Sequence, residues 1–238
     1  MGVQGRSFRR SDRSPRGGGS ERLTGVNPIR EALGARRREL RRLDVRAGAT
    51  HPGLIELVAR ARQLGIRVRE IGEGDADRLA SPGVELDAGP LPELGLEELL
   101  IASPASREPR TLIALDGVED PQNLGAIARV AESAGILGLV LTHRHAPPLS
   151  AAVSRASAGA IEWLPVARVP NLARALESLQ REGFWVLGAE GRGLRPGVVK
   201  RLDQKLRIPL RGKVDSLNVS TAASVLLFEL NRRAAASV

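Results

Sequence analysis

From residue 111 onward the chain alternates short apolar runs with helical repeats, and this alternation constrains the fold more than any other feature. Thr111–Leu115, Leu137–Thr142, Trp163–Val166 and Phe184–Leu187 read as strands. Between them, Asp120–Gly135, Leu149–Ala160 and a segment capped by Asn171 read as helices, the last with Leu172, Ala175, Leu176 and Leu179 inward. Strands that alternate with helices predict an α/β fold with a mostly parallel sheet and helices on both faces. Ligands of such sheets sit beyond the carboxyl ends of the strands. The run Gly188-Ala189-Glu190-Gly191-Arg192-Gly193 falls at such an end and lacks the lysine and hydroxyl of a phosphate-binding Walker loop.

Two stretches carry more than periodicity. In 111–135, Asp120-Pro121 is a helix start and Gly135 a stop. Leu124, Ile127, Ala128, Ala131 and Ala134 form its core stripe, while Gln122, Gly125, Arg129 and Glu132 line a different face. A solvated face with a weak i,i+3 ion pair explains that second face equally. In 206–233, Leu206, Ile208 and Leu210 read as a strand running into a turn at Gly212. A polar run, Ser216–Ser220, then leads to a helix with Val219, Ala222, Ala223, Leu226, Leu227 and Leu230 inward. Ser216 or Asn218 caps it. Strand, polar loop and helix N-terminus would bring backbone donors together on a ligand. Alone, this stretch reads as an ordinary capped helix.

Together the stretches resemble the SpoU (TrmH-like) RNA ribose 2′-O-methyltransferases of the SPOUT superfamily. The first motif is DGVEDPQNLGAIARVAESAG, with Asn123, Arg129 and Glu132. The second is LGAEGRGLRP, with Glu190, and the third is RIPLRGKVDSLNVSTAASVLLFE, with Ser216 and Asn218. A linking segment, SAGAIEWLPVARVPNLARAL, also fits, so the likeness spans roughly 111–233. It implies a C-terminal trefoil knot. LTGVNPIREAL and the residues after it resemble the small α/β RNA-binding domain, of ribosomal-protein type, that precedes the catalytic domain in large-subunit rRNA members.

The chain departs from the family pattern in two places. GFWVLG runs directly into AEGRG, so one strand does two jobs and roughly two dozen residues, about one strand and its crossover, are absent. The His-Gln-Gly often found near the end of the first domain is replaced by Ser81-Pro82-Gly83.

The composition narrows the partners. A net charge of +9 predicts an anionic one. With no cysteine there is neither a disulfide nor a thiolate nucleophile, which argues against methylation at pyrimidine carbon through a cysteine adduct. Three histidines, His51, His143 and His145, predict no metal site. No run approaches a membrane span and no signal peptide is visible, so a cytoplasmic protein is expected.

The domain reading has four parts. Residues 1–20, rich in Arg, Gly and Ser, read as a disordered basic tail, either featureless or an RNA-binding arm through Arg6, Arg9, Arg10, Arg13 and Arg16. Residues 21–80 form the RNA-binding domain, with helices at Asn27–Leu33 and Leu54–Leu64 and strands at Leu40–Arg46 and Ile66–Ile71. Residues 81–110, marked by proline and glycine, read as a linker, and 111–238 as the methyltransferase domain. The one-signed cluster Arg36, Arg37, Arg38, Arg41 and Arg42 reads as a phosphate contact.

By resemblance, S-adenosylmethionine is the cofactor, held against Gly188, Ala189, Ile208, Leu210, Leu217 and Asn218 largely through backbone groups. The catalytic set is Arg129, Asn123, Glu190, Ser216 and Asn218; Arg129 and Glu132 face the RNA with Arg36, Arg37, Arg38 and Arg41. In the family an arginine at the Arg129 position is held to help deprotonate the ribose hydroxyl. A phosphate clamp is at least as good a role, because a free guanidinium keeps its proton to about pH 12. Glu132 either pairs with Arg129 or is structural. The expected activity is 2′-O-methylation of a ribose, a guanosine's, in 23S rRNA by a homodimer. The alternatives are a tRNA ribose methyltransferase, or an RNA-binding paralogue impaired by the missing strand.

Overall fold

The computed structural model describes residues 19–72, 74, 79–80, 82–102, 111–179, 183–188, 193–213 and 216–236. The basic tail up to residue 18, with its five arginines, therefore lies outside the described residues. Two sheets organise the chain.

The first sheet contains β1 (Glu21–Thr24), β2 (Leu40–Arg46), β3 (Arg67–Ile71) and β4 (Val84–Ala88), ordered β1-β4-β2-β3. Only β2 and β3 are parallel. Helices α1 (Val26–Ala35) and α2 (Pro52–Gln63) bury Ile29, Leu33, Leu54 and Leu57 in one core with Leu23, Leu43 and Leu86. His51 caps α2 by accepting the Gly53 N–H, and Gly65, at φ 72°, ends it as expected.

β4 lies inside the stretch expected to be a linker. Val84, Leu86 and Ala88 are buried and pair on both sides, so the strand is central to the sheet. Its alternating pattern was masked by the flanking glycines and prolines. Farther along the same stretch, Leu94 bridges to Ala167 of the second sheet, and α3 (Leu96–Ala102) buries Leu99 there.

The second sheet is parallel throughout, ordered β7-β6-β5-β8. Its strands are β5 (Thr111–Asp116), β6 (Gly138–Thr142), β7 (Val166–Val169) and β8 (Gly183–Gly188). One face is covered by α4 (Pro121–Ser133), α5 (Ala151–Ala156) and α8 (Val219–Ala236). The other is covered by α3, α6 (Leu172–Ser178) and α7 (Pro196–Val199). This is the expected parallel sheet with two covered faces, and its four described strands end at β8 on the edge.

Three local expectations are corrected. The helix expected over 149–160 stops at Ala156; Ala158 and Gly159 take positive φ, and a 3₁₀ turn follows at Ala160–Glu162. Ser157 drives the change, because its hydroxyl donates to the Ser154 carbonyl and accepts the Ile161 N–H in place of helical bonds. The strand expected at 163–166 begins at Val166, since Pro165 has no N–H for a ladder. Residues 206–210 form no strand, and Pro209 again denies the backbone a donor.

Gly125 was expected on the polar face of α4 but is buried. A Cβ there would stand 2.4 Å from the Ala156 Cβ and 2.9 Å from backbone, so α4 and α5 touch through this glycine. Gly125→Ala should destabilise the protein by about 1–3 kcal/mol in chemical denaturation, despite the higher helix propensity of alanine. An unchanged midpoint would mean that the helices separate without loss.

Candidate active site

The site lies past the carboxyl ends of β5 and β8, where Asp116 and Gly188 stand in register. Asp116 is buried, and its carboxylate accepts from the Arg195 main-chain N–H at 2.8 Å and from Arg195 Nε at 2.5 Å. A Cβ on Gly188 would come 2.5 Å from the Gly193 carbonyl carbon, so only glycine permits this backbone approach. Positions 188 and 193–195 are thereby fixed to the end of β5. The sequence reading missed Asp116 and Arg195; the signal was an acid closing an otherwise apolar strand.

α4 starts just beyond β5. The Asp120 carboxylate accepts the Gln122 N–H at 2.9 Å and Pro121 occupies the first turn, which sets Asn123 at the mouth of the site. Asn218 comes to the same place from the other end of the chain. Its Nδ2 donates to Asn123 Oδ1 at 2.9 Å, and its Oδ1 accepts from the Ser220 N–H at 2.9 Å and the Ser220 hydroxyl at 2.5 Å. Asn218, rather than Ser216, thus caps α8. One carboxamide both starts the helix and joins residues 95 positions apart.

Beside this contact lies a cavity of about 1100 Å³. β8 forms one wall, the irregular chain 202–210 another, and α8 a third. Ile208, Leu210, Ser216 and Leu217 line it. Four of the expected site residues therefore share one pocket, while Gly188, Asn123 and Asn218 stand outside its lining.

The other expected residues are placed as follows. Arg129 and Glu132 are exposed on α4, and no ion pair joins them among the described residues. Arg129 lies six residues past Asn123, about 9 Å along the axis. Ala189 and Glu190 lie outside the described residues.

The arginine cluster divides. Arg36 is exposed at the end of α1, and Arg41 pairs with Glu39 at 2.8 Å. Arg42 pairs with Asp44 at 2.9 Å, and Asp44 is also held by Arg69 at 2.7 Å. Arg37 is half-buried, donating to the Glu162 and Leu164 carbonyls. Arg38 is fully buried in an ion pair with Glu162, so the expectation that it touches RNA phosphate is corrected. Charge runs read from sequence cannot distinguish solvated cations from those neutralised by distant acids.

Among the described residues no group of acids and histidines could hold a metal ion, and no helix is long and apolar enough to cross a membrane. The SpoU rRNA Methylase family profile matches residues 110–188 and again 184–228. The 23S rRNA (guanosine-2′-O-)-methyltransferase RlmB of Xanthomonas campestris is 32% identical over 238 residues, covering 89% of this chain and 96% of that protein. YacO of Bacillus subtilis, named for the TrmH family of tRNA/rRNA methyltransferases, is 33% identical over 204 residues, covering 75% of this chain and 82% of its own. The AdoMet-bound rRNA methyltransferase of Sinorhizobium meliloti superposes with a TM-score of 0.71 at 25% identity, over 90% of this chain and 87% of that one.

Asn218→Ala should lower stability by about 1 kcal/mol through the lost cap. Asn218→Asp keeps the accepting oxygen and should recover most of that loss. Equal melting temperatures for the alanine variant and the parent would show that Asn218 does not cap α8.

Proposed function

The chain belongs to the SpoU rRNA methylase family, and on that premise we propose that it methylates the 2′-hydroxyl of a guanosine ribose in 23S rRNA with S-adenosylmethionine as donor. The Asn218–Asn123 hydrogen bond carries this reading. It joins the first and third motifs beside a cavity lined by Ile208, Leu210, Ser216 and Leu217.

The cofactor supplies an electrophilic methyl group on a sulfonium. Leu210 and Leu217 line the cavity and would offer apolar contact to an adenosine. The task left to the chain is to place the ribose hydroxyl in line and to accept its proton. Asn123, Ser216 and Asn218 would hold the nucleotide by hydrogen bonds, joined by Glu190. The exposed Arg129 would clamp a phosphate next to the reacting ribose. Exposed Arg36 and partly exposed Arg41, on the first sheet's unit, would add phosphate contacts. A C-terminal knot and a cytoplasmic location belong to the same reading.

One observation favours a second reading. Residues 184–188 fall within both profile matches, so one strand stands in for two. A chain so shortened could bind RNA without turnover. Titration calorimetry with S-adenosylhomocysteine separates the two. Saturable binding is expected, with methyl transfer to 23S rRNA reduced by about 10²-fold or more in Arg129→Ala while the binding persists. Absence of binding by folded protein would leave only the impaired paralogue.

The proposal includes a homodimer. Val225 and Phe228, 48% and 51% exposed on α8, supply an apolar face next to the site. Light scattering should give twice the 25.4 kDa chain mass, and Phe228→Glu should reduce it to one. A monomeric parent would refute this part.

A further inference from the structure

The two sheets are joined by a buried, directional contact. The side chains of Arg38 and Glu162 are both 0% exposed. Arg38 Nε and Nη2 each donate to the Glu162 carboxylate at 3.0 Å, and Nη1 donates to Glu21 at 3.2 Å and to the Gly89 carbonyl at 3.3 Å. The Ser154 hydroxyl donates to the same carboxylate at 2.9 Å. Arg37 takes the Leu164 carbonyl at 2.9 Å, and Trp163 Nε1 donates to Glu31 at 2.7 Å. A Cβ on Gly159 would collide with Glu31, which marks how closely the surfaces meet.

This junction touches the helix that carries the site. Glu162 ends a 3₁₀ turn whose Ile161 shares a core with Leu124 and Ile127 of α4. α5, which holds Ser154, meets α4 at Gly125, two residues from Asn123. Displacing Glu162 would therefore move the surface on which α4 rests.

Stability alone does not account for the pair. Burial pushes the Glu162 carboxyl up, against the pull of Arg38 and Ser154. A carboxyl raised in the fold favours folding below its unfolded value, and that contribution is lost as pH rises through the folded value. At neutral pH the desolvated pair is thus a poor source of stability, and apolar residues would serve as well. What apolar residues lack is direction, since a bidentate fork fixes an angle as well as a distance.

We propose that Arg38 and Glu162 are positioning residues that lock the first sheet's unit at one orientation to α4, so that RNA held by the first unit meets Asn123 and Arg129 in register. The RNA half of this inference rests on the methyltransferase reading; the lock does not.

The chain has no cysteine, so Ile55→Cys and Arg174→Cys place one spin label on each unit. With the doubly labelled chain diluted into excess unlabelled chain, so that a dimer carries one labelled protomer, dipolar spectroscopy should give a single narrow distance in this background and a broadened or shifted one after Glu162→Gln. In the unlabelled protein, Glu162→Gln should raise the KM for a 23S rRNA transcript about tenfold, with S-adenosylhomocysteine affinity unchanged within about twofold. If Glu162→Gln fails to fold, the apolar double variant Arg38→Met with Glu162→Leu is expected to fold and to give the same two changes. A distance that stays narrow in the variants overturns the lock, as does a broad one in the parent. A broadened distance with unchanged KM overturns the positioning role. Lack of methyl transfer by the parent would remove the methyltransferase reading and leave the lock to be judged by the distances alone.

Discussion

The parallel pairing of β5 with both β6 and β8 is the constraint on which the other parts depend. β5 is buried from Leu112 to Asp116, so its place in the sheet is set by burial on two faces and pairing on two edges. The candidate site follows its carboxyl end. Asp116 holds Arg195, Gly188 lies across from it, and the turn at Gly117 delivers the chain to the cap at Asp120. A strand so enclosed has no freedom of register, and side chains placed from its end inherit that definition.

The second dependence is on closeness. Parallel strands need crossovers, and the helices of the first two crossovers, α4 and α5, pack side by side on one face. They do so at Gly125, where only the Ala156 methyl and the α5 backbone stand against the glycine. α8 then lies against α4, and Asn231 donates to the Ala134 carbonyl at 3.0 Å near the far end of α4. Asn218 fastens the near end. α8 is therefore tied to α4 at two points.

Charge has different uses in different parts of the molecule. The excess of basic residues suits a polyanionic partner. Yet the densest arginine run mostly serves the protein itself: Arg38 spans the two sheets, Arg37 takes up the end of a 3₁₀ turn, and Arg42 and Arg69 share Asp44. The exposed cationic surface is narrower than the composition suggests, with Arg36 and Arg129 among its members.

The sequence by itself determined the parallel sheet, the helices on its two faces and the start of α4 at Asp120. Those features are local or periodic: a proline after an acid, an apolar stripe, a polar run before a helix. The tertiary structure alone decided the rest. It made β4 the centre of the first sheet, where proline and glycine had suggested a linker. It chose Asn218 over Ser216 as the cap, gave Gly125 a packing role, and turned Arg38 from an RNA contact into a buried partner of Glu162. Each of these depends on what lies across a gap of many residues. A side chain's burial and ion partner are properties of two distant segments brought together, and no window along one of them contains the other.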